Sequence, residues 1–423
     1  MSNSKAKKLV VVGQGYVGLP LAMRAVAVGF SVVGFDISED RVMRLSRGES
    51  FVEDVPHDEV ASALKSARYL ATTAIEDCSD FDVAVITVPT PLREGAPDLS
   101  YIEEAARSLS QHLKVGATVI LESTTYPGTT EELLTPILEK GSGLEAGRQF
   151  SVGYSPERID PGNAVWNFQN TPKVVSGIDS ASLREIDAFY SLLVEQTVPV
   201  SSPGVAELTK LLENTFRHVN IALINELTMF AHQMNVNVWE AIDAASSKPF
   251  GYMRFTPGPG VGGHCLPVDP SYLSWKVKQT LGDQFRFIDL ANDVNEHMPG
   301  HVVNRITRIL NEKQMAVSRS RILVLGLAYK KNSGDMRESP SSAVCSALES
   351  LGAFVRVVDT WVPSYYDVPW ERVELTDEEI VAADLVVIVT DHDDVDYERI
   401  AQHARLVFDT RRRTPPGPTV TYL

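Results

Sequence analysis

Lys8-Leu-Val-Val-Val12 runs without a break into Gly13-Gln-Gly15-Tyr16-Val17-Gly18. The first five residues form a continuous apolar, β-branched run, as a parallel strand buried on both faces requires. An apolar helical stretch follows to about Val28, Gly29 stops it, and a second strand, Ser31–Phe35, ends in Asp36. Strand, glycine turn, helix, strand and acid, in that order, form a Rossmann dinucleotide fingerprint. Gly13, Gly15 and Gly18 permit the turn and bring a pyrophosphate against the free N–H groups of the helix N-terminus, with Tyr16 and Val17 inside the same loop. Asp36 suits a ribose 2′-hydroxyl and repels a 2′-phosphate, which favours NAD over NADP. Arg41 is the kind of residue that accommodates such a phosphate, and its alternative role is a solvated helix face.

Outward from this unit, strands at Val83–Val88 and Thr118–Glu122 alternate with helical patterns at Tyr101–Leu113 and Thr130–Lys140. That alternation predicts a doubly wound parallel sheet over residues 1–195. Thr197–Gly204 reads as a connector. After it, Leu208, Leu211, Leu212, Val219, Leu223, Leu227 and Ala231 recur at mostly three- and four-residue spacing, predicting a helix from Val205 to about Met234. At 1.5 Å per residue it would span ~45 Å, which suits a spine between domains or a dimer interface, with an ordinary core helix as the alternative. Pro249–Pro270 is dense in Gly and Pro and reads as irregular throughout. Helices resume at Tyr272–Lys278 and about His297–Glu312, closing a central region of residues 196–314. From Arg321 the opening pattern returns: strand Arg321–Leu327, helix Ser341–Leu351, strand Val355–Asp359. Asp384-Leu-Val-Val-Ile-Val-Thr390 also echoes Asp82-Val-Ala-Val-Ile-Thr87. Residues 315–423 are therefore expected to repeat the first domain without its glycine loop. The predicted class is α/β, two Rossmann-like doubly wound domains joined by a long central helix and a helical dimerisation region.

The 423 residues carry 39 Lys and Arg against 55 Asp and Glu, a net charge of −16, which argues against a nucleic-acid-binding surface. No run of ~18 apolar residues predicts a membrane helix, and no signal-peptide h-region is evident. Cys78, Cys265 and Cys345 are far apart and odd in number, so neither a disulfide framework nor a metal site is expected, and a reducing cytoplasm fits best.

Cys265 stands out because it lies in the Gly/Pro stretch, where side chains meet ligands, whereas Cys78 and Cys345 read as small buried hydrophobes. Asp269 follows four residues on, and His264 precedes as a base for the thiol or a structural histidine. Lys210 and Asn214 share one face of the long helix at i, i+4, although Lys210 also has Glu207 and Glu213 nearby for a surface salt bridge. Glu122-Ser-Thr124-Thr follows a strand end, where doubly wound sheets bind ligands. Glu157-Arg158 sits in a second Pro/Gly turn, with a solvated turn as the alternative.

The motifs GQGYVG, VPTP, ESTTYPGT, SPERIDPGN, AELTKLLENTF, PGPGVGGHCLPVDP, YKKNSGDMRES and FDTR, in this order, closely resemble the nucleotide sugar dehydrogenase family. The resemblance covers essentially the whole chain. It implies an NAD domain, a central dimerisation region and a UDP-binding domain, acting as a homodimer. It also implies four-electron oxidation of a UDP-sugar 6-hydroxymethyl to a carboxylate with two NAD. Cys265 would be the nucleophile, Lys210 the acid/base or oxyanion-stabilising group and Asp269 its polar partner. Asn214 would help hold the oxyanion, Thr124 position water, and Glu157 act in thioester hydrolysis. Pro89, Thr90, Thr124 and Arg337 would join the glycine loop, Asp36 and Arg41 around NAD. Glu157, Arg158, Lys210, Asn214, Arg254, Pro259, Gly260, Gly262, Lys330 and Arg411 would meet the nucleotide sugar. Pro161 stands where the UDP-glucose branch carries a second carboxylate. Lys248-Pro-Phe-Gly251 before the loop most resembles the UDP-N-acetylglucosamine branch, from which Arg254 departs.

Overall fold

Leu9, Val10 and Val11 are fully buried and Val12 nearly so, because both faces of their strand are covered. Leu9 and Val11 enter one apolar core, with Leu19, Leu21 and Val32, while Val10 and Val12 enter the opposite one, with Ile86, Val119 and Val152. A side-chain period of two on a sheet clad on both sides explains why the run is continuously apolar. The computed structural model describes residues 6–93, 95–160, 163, 165–263, 265–364 and 366–423, and of Cys265 only the backbone. His264 and Pro161 lie outside the described residues.

The chain divides into two units, residues 1–213 and 214–423. The first contains a six-stranded sheet of β1 (Lys8–Val12), β2 (Ser31–Phe35), β3 (Tyr69–Thr72), β4 (Val83–Ile86), β5 (Thr118–Leu121) and β6 (Ser151–Tyr154). Its spatial order is β3-β2-β1-β4-β5-β6, and every pairing is parallel. The second unit repeats that order with β7 (Arg321–Leu325), β8 (Phe354–Val358), β9 (Glu371–Arg372), β10 (Leu385–Ile388), β11 (Val407–Asp409) and β12 (Val420–Tyr422), arranged β9-β8-β7-β10-β11-β12 and again wholly parallel. Both sheets therefore reverse direction of growth beside their first strand, and the crevice at that reversal is where such folds bind ligands.

The long helix runs Pro203–Gln233, 31 residues, and the boundary between the units falls within it. Two expectations change. A helix begins at Cys265 and continues to Leu281, so the Gly/Pro stretch is irregular only up to that point. Pro267 is the third residue of this helix, where a backbone N–H has no intrahelical acceptor, so its ring costs the helix little. Pro270 sits further inside and removes one hydrogen bond. The next helix starts well before His297, at Arg286, and runs to Glu312 through Pro299. Among the described residues no helix is long and apolar enough to cross a membrane.

Candidate functional site

In the first unit the chain turns sharply after β1. Gly13 has φ +93°, a conformation natural to glycine, and its N–H donates to the Phe35 carbonyl at 2.8 Å. A Cβ on Gly18 would stand 1.9 Å from the Gly13 carbonyl oxygen and 2.5 Å from Thr87 Oγ1, so packing of the first helix (Gly18–Ala27) on the loop demands glycine there. Gly15 differs: no protein atom lies within 4 Å of where its Cβ would be. The fold does not need that glycine, and close approach of a ligand phosphate is the demand that remains. The first turn of the helix holds no acidic residue and no side chain caps it, which keeps its N–H groups and positive end suited to an anion.

Asp36 is buried; its carboxylate accepts from Gln14 N at 2.8 Å and Ser38 N at 2.9 Å, which fixes it beside the loop. Arg41 Nη1 approaches the same carboxylate at 3.5 Å with half its side chain exposed. Tyr16 is exposed and Val17 half-buried. Exposed Pro89 and buried Thr90 follow β4, and half-buried Thr124 follows β5. Ser123 Oγ donates to the Val88 carbonyl at 2.8 Å and so ties these two strand ends together. The loop, the acid and these strand ends fit a dinucleotide.

Deeper in the same unit, Lys210 is buried and donates from Nζ to the Glu157 backbone carbonyl at 2.6 Å. Its helical neighbours point elsewhere. Glu207 accepts from Gly128 N (2.7 Å), Thr130 N (2.9 Å) and Thr130 Oγ1 (2.7 Å), fastening the turn after Thr124 to the long helix. Glu213 pairs with Arg158, whose Nη1 also donates to the Pro172 carbonyl at 2.7 Å. The surface-salt-bridge reading of Lys210 therefore fails, because burial leaves its ammonium facing the Glu157 turn. Arg158 is engaged by protein rather than directed outward. Glu157 is buried, one carboxylate oxygen accepting from Ile159 N and the other without a hydrogen-bond partner among the described residues. Burial pushes its pKa above the ordinary carboxylate value, with the Lys210 charge opposing that rise.

In the second unit, buried Asn214 donates from Nδ2 to Asp269 Oδ2 at 2.6 Å, Asp269 itself being buried in the Cys265–Leu281 helix. Cys265 is the first residue of that helix, one turn before Asp269. The Gly/Pro loop is anchored by Asn225, which accepts from Gly258 N at 3.0 Å and donates to Asn295 Oδ1 at 3.0 Å. A Cβ on Gly258 would meet Arg411 Nη1 at 2.5 Å, and one on Gly262 the Glu338 carbonyl at 2.6 Å. Buried Pro259 and half-buried Gly260 complete the stretch. Arg411 is thus packed against the loop, its Nε donating to the Val389 carbonyl at 2.8 Å. Half-buried Lys330 lies on the segment that adjoins the loop, which Gly263 N bonds at the Arg337 carbonyl (2.9 Å). Exposed Arg337 forms a bidentate pair with Asp335. Arg254 does not join this group; it is exposed and bonds Asp243 at 2.7 Å. Cys78 and Cys345 are fully buried, and burial drives both thiols up, Cys78 to about 12, which makes them inert.

Sequence reasoning missed Glu207 and Asn225 as holders of the two loops. Their only signal is a polar residue on an otherwise apolar helix face. Asp359, read from the sequence as the end of the repeated strand Val355–Asp359, is the counterpart of Asp36 after β8. Asp359 accepts from Leu327 N at 2.6 Å, Ala328 N at 3.0 Å and His392 Nε2 at 3.0 Å, with Trp361 N and Val362 N on its other oxygen.

Three stretches match models of the UDP-glucose/GDP-mannose dehydrogenase family: residues 7–194 its NAD binding domain, 204–297 its central domain and 323–416 its UDP binding domain. A UDP-N-acetyl-D-mannosamine dehydrogenase from Pyrococcus horikoshii is 35% identical over 417 residues, covering 97% of each chain. A UDP-N-acetyl-D-glucosamine 6-dehydrogenase from Pseudomonas aeruginosa is 38% identical over 361 residues, 85% of this chain and 84% of that one. The solved structure of a UDP-D-ManNAc dehydrogenase from P. horikoshii superposes with a TM-score of 0.88 at 33% identity, covering 98% of both chains.

Proposed function

From the premise that the chain belongs to the UDP-glucose/GDP-mannose dehydrogenase family, we propose that its substrate is UDP-N-acetyl-D-mannosamine. The reaction class is firm: the protein is an NAD-dependent oxidoreductase that oxidises the C6 hydroxymethyl of a UDP-sugar by four electrons. The choice of sugar is carried by one observation, the full-length likeness to a mannosamine dehydrogenase in both sequence and structure. The glucosamine reading of the Lys248–Gly251 stretch has weaker support. Phe250 there is exposed, and the departing Arg254 bonds Asp243.

When bound, NAD accepts the hydride. The Gly13–Gly18 loop, Asp36 and the strand ends at Pro89, Thr90 and Thr124 hold it. Loss of a hydride from C6 and of the hydroxyl proton to a base leaves an aldehyde. A thiolate at Cys265 adds to its carbon as a thiohemiacetal, which again bears a transferable hydride. Loss of the second hydride gives a thioester. Lys210 and Asn214 supply a charge and a hydrogen-bond donor for the oxyanions of both steps, and Asp269 orients Asn214. Glu157, with its pKa raised by burial, serves as the base for water that Thr124 positions, and hydrolysis frees the carboxylate and the thiol. Lys330, Arg411 and the Pro259–Gly262 loop bind the nucleotide sugar, its phosphates falling to the cations.

A panel of UDP-sugars assayed for NADH release tests this. The mannosamine substrate should give the highest kcat/KM and two NADH per sugar; a higher value for the glucosamine epimer would overturn the choice of sugar, and no NADH from any of them the whole reading. We also propose a homodimer, because Leu212, Phe216, Leu223, Leu227 and Phe230 on one helix are all at least 45% exposed. A monomer mass by light scattering at micromolar concentration would refute it.

A further inference from the structure

Beneath the Glu157 turn lies a buried ion pair that none of these steps uses. Glu122, the residue after β5, is fully buried, and so, nearly, is Lys173 in the short strand Lys173–Val175; the two are in direct contact. Tyr190 OH donates to the other Glu122 oxygen at 3.3 Å, and the Lys173 ammonium lies over the rings of Tyr190 and Phe168 at 5.2 and 5.6 Å. Lys173 Nζ also donates to the Pro156 carbonyl at 3.1 Å. The next carbonyl in the chain, that of Glu157, is the one that takes Lys210. Two lysines thus grip consecutive carbonyls of the turn that presents the Glu157 carboxylate. Two carbonyls before Pro156, that of Tyr154 is held by Ser176 Oγ at 2.7 Å.

We propose that Lys173 and Glu122 form a buried positioning pair that fixes the Glu157 turn and, through it, the docking point of Lys210. A buried ion pair contributes little net stability compared with apolar side chains of the same volume, so stability does not explain its presence. It offers what an apolar pair lacks, a directional donor on the Pro156 carbonyl and a charge whose field reaches Lys210. Burial first, and then the charge of Lys210, lower the Lys173 pKa, as two ammonium groups close together require. The other titratable groups facing the pair are Tyr154 at the end of β6, Glu157 beyond it and Tyr190 on the helix Ser180–Leu193. The inference rests on the reading of Glu157 and Lys210 as groups of the reaction.

The test is the double variant Glu122→Gln/Lys173→Met, which removes the pair and leaves no unpaired charge behind. Its melting temperature should stay within a few degrees of the wild type, and KM for NAD and for the UDP-sugar within about threefold. Its kcat should fall at least tenfold, since a misplacement of about 1 Å costs on the order of 10²-fold. A folded double variant with wild-type kcat would overturn the proposal. Should that variant not fold, Glu122→Gln alone is decisive. It keeps the shape of the side chain and an acceptor for Tyr190 but loses the counter-charge, and should move the pH profile of kcat by about half a unit or more with KM unchanged. A profile superimposable on the wild type would refute the pair's role. Wild-type NADH stoichiometry, measured alongside, reports on the reaction itself, so a failure of that reading is distinguishable from a failure of this one.

Discussion

Two alanine substitutions three residues apart separate what the glycine loop does for the fold from what it does for the cofactor. In Gly18→Ala the new Cβ meets the Gly13 carbonyl oxygen at 1.9 Å, against about 3.5 Å for an unstrained carbon contact. The helix or the loop must retreat by about 1.5 Å, and neither is a flexible side chain that swings aside. Overpacking of this kind costs about 1–3 kcal/mol. Spread over a unit of this size, that lowers the melting temperature by about 3–8 °C. NAD affinity should drop about 100-fold as the loop leaves its binding geometry, equivalent to about 2.7 kcal/mol. Gly15→Ala is the contrast. With no protein atom within 4 Å of its Cβ, the melting temperature should hold within about 1 °C. NAD should nevertheless bind at least about tenfold more weakly, because the methyl occupies the side from which a phosphate approaches. Calorimetric titration with NAD, thermal melting, and UDP titration as a control read all three quantities. Wild-type NAD affinity in Gly15→Ala would refute the assignment of the loop, and an unchanged Gly18→Ala would refute the packing argument.

Cys265→Ser should abolish turnover while NAD and UDP-sugar still bind, a hydroxyl being a far weaker nucleophile than a thiolate near neutral pH; full steady-state activity would refute the covalent route. Lys210→Ala should lower kcat by about 10²-fold or more, the scale for loss of one oxyanion donor, whereas a change confined to KM would assign Lys210 to binding. Glu157→Gln tests the raised pKa through stability. A buried carboxyl whose folded pKa lies above its unfolded value of 4.5 makes the protein less stable as pH rises through that interval. The variant should therefore melt higher than the wild type at pH 7, with the difference shrinking toward zero below pH 4.5, and a difference independent of pH would count against it.

Local chemistry was legible in the sequence, and long-range chemistry was not. The β1 run, the three glycines and Asp36 announce themselves because each is a backbone requirement satisfied within some thirty residues. The repeat from Arg321 is visible for the same reason, and both sheets share one strand order. Composition misled at Pro267 and Pro270, since proline near a helix start breaks little while reading as a breaker. Spacing misled at Lys210. Glu207 and Glu213 lie within a turn of it, but buried N–H groups of a distant loop and Arg158 claim those carboxylates first. The Glu122–Lys173 pair spans the fold between residues far apart in sequence, and no period or motif marks such a contact. The sugar was read from Lys248–Gly251, a stretch whose exposed Phe250 is not constrained by the rest of the fold.

The glycine loop follows β1 and is not repeated after β7, and that has a kinetic consequence. After β7 the chain reads Gly326-Leu-Ala-Tyr-Lys-Lys331, without the further glycines that let a pyrophosphate approach the first helix. One stretch, residues 7–194, matches an NAD binding domain, for a reaction whose four electrons take two NAD. Spent cofactor must therefore depart and fresh cofactor enter midway through each turnover, while the half-oxidised sugar stays behind. Product NADH should then compete with NAD at two stages of a single cycle, and residence of the sugar, rather than tightness of the cofactor, limits how often an aldehyde escapes.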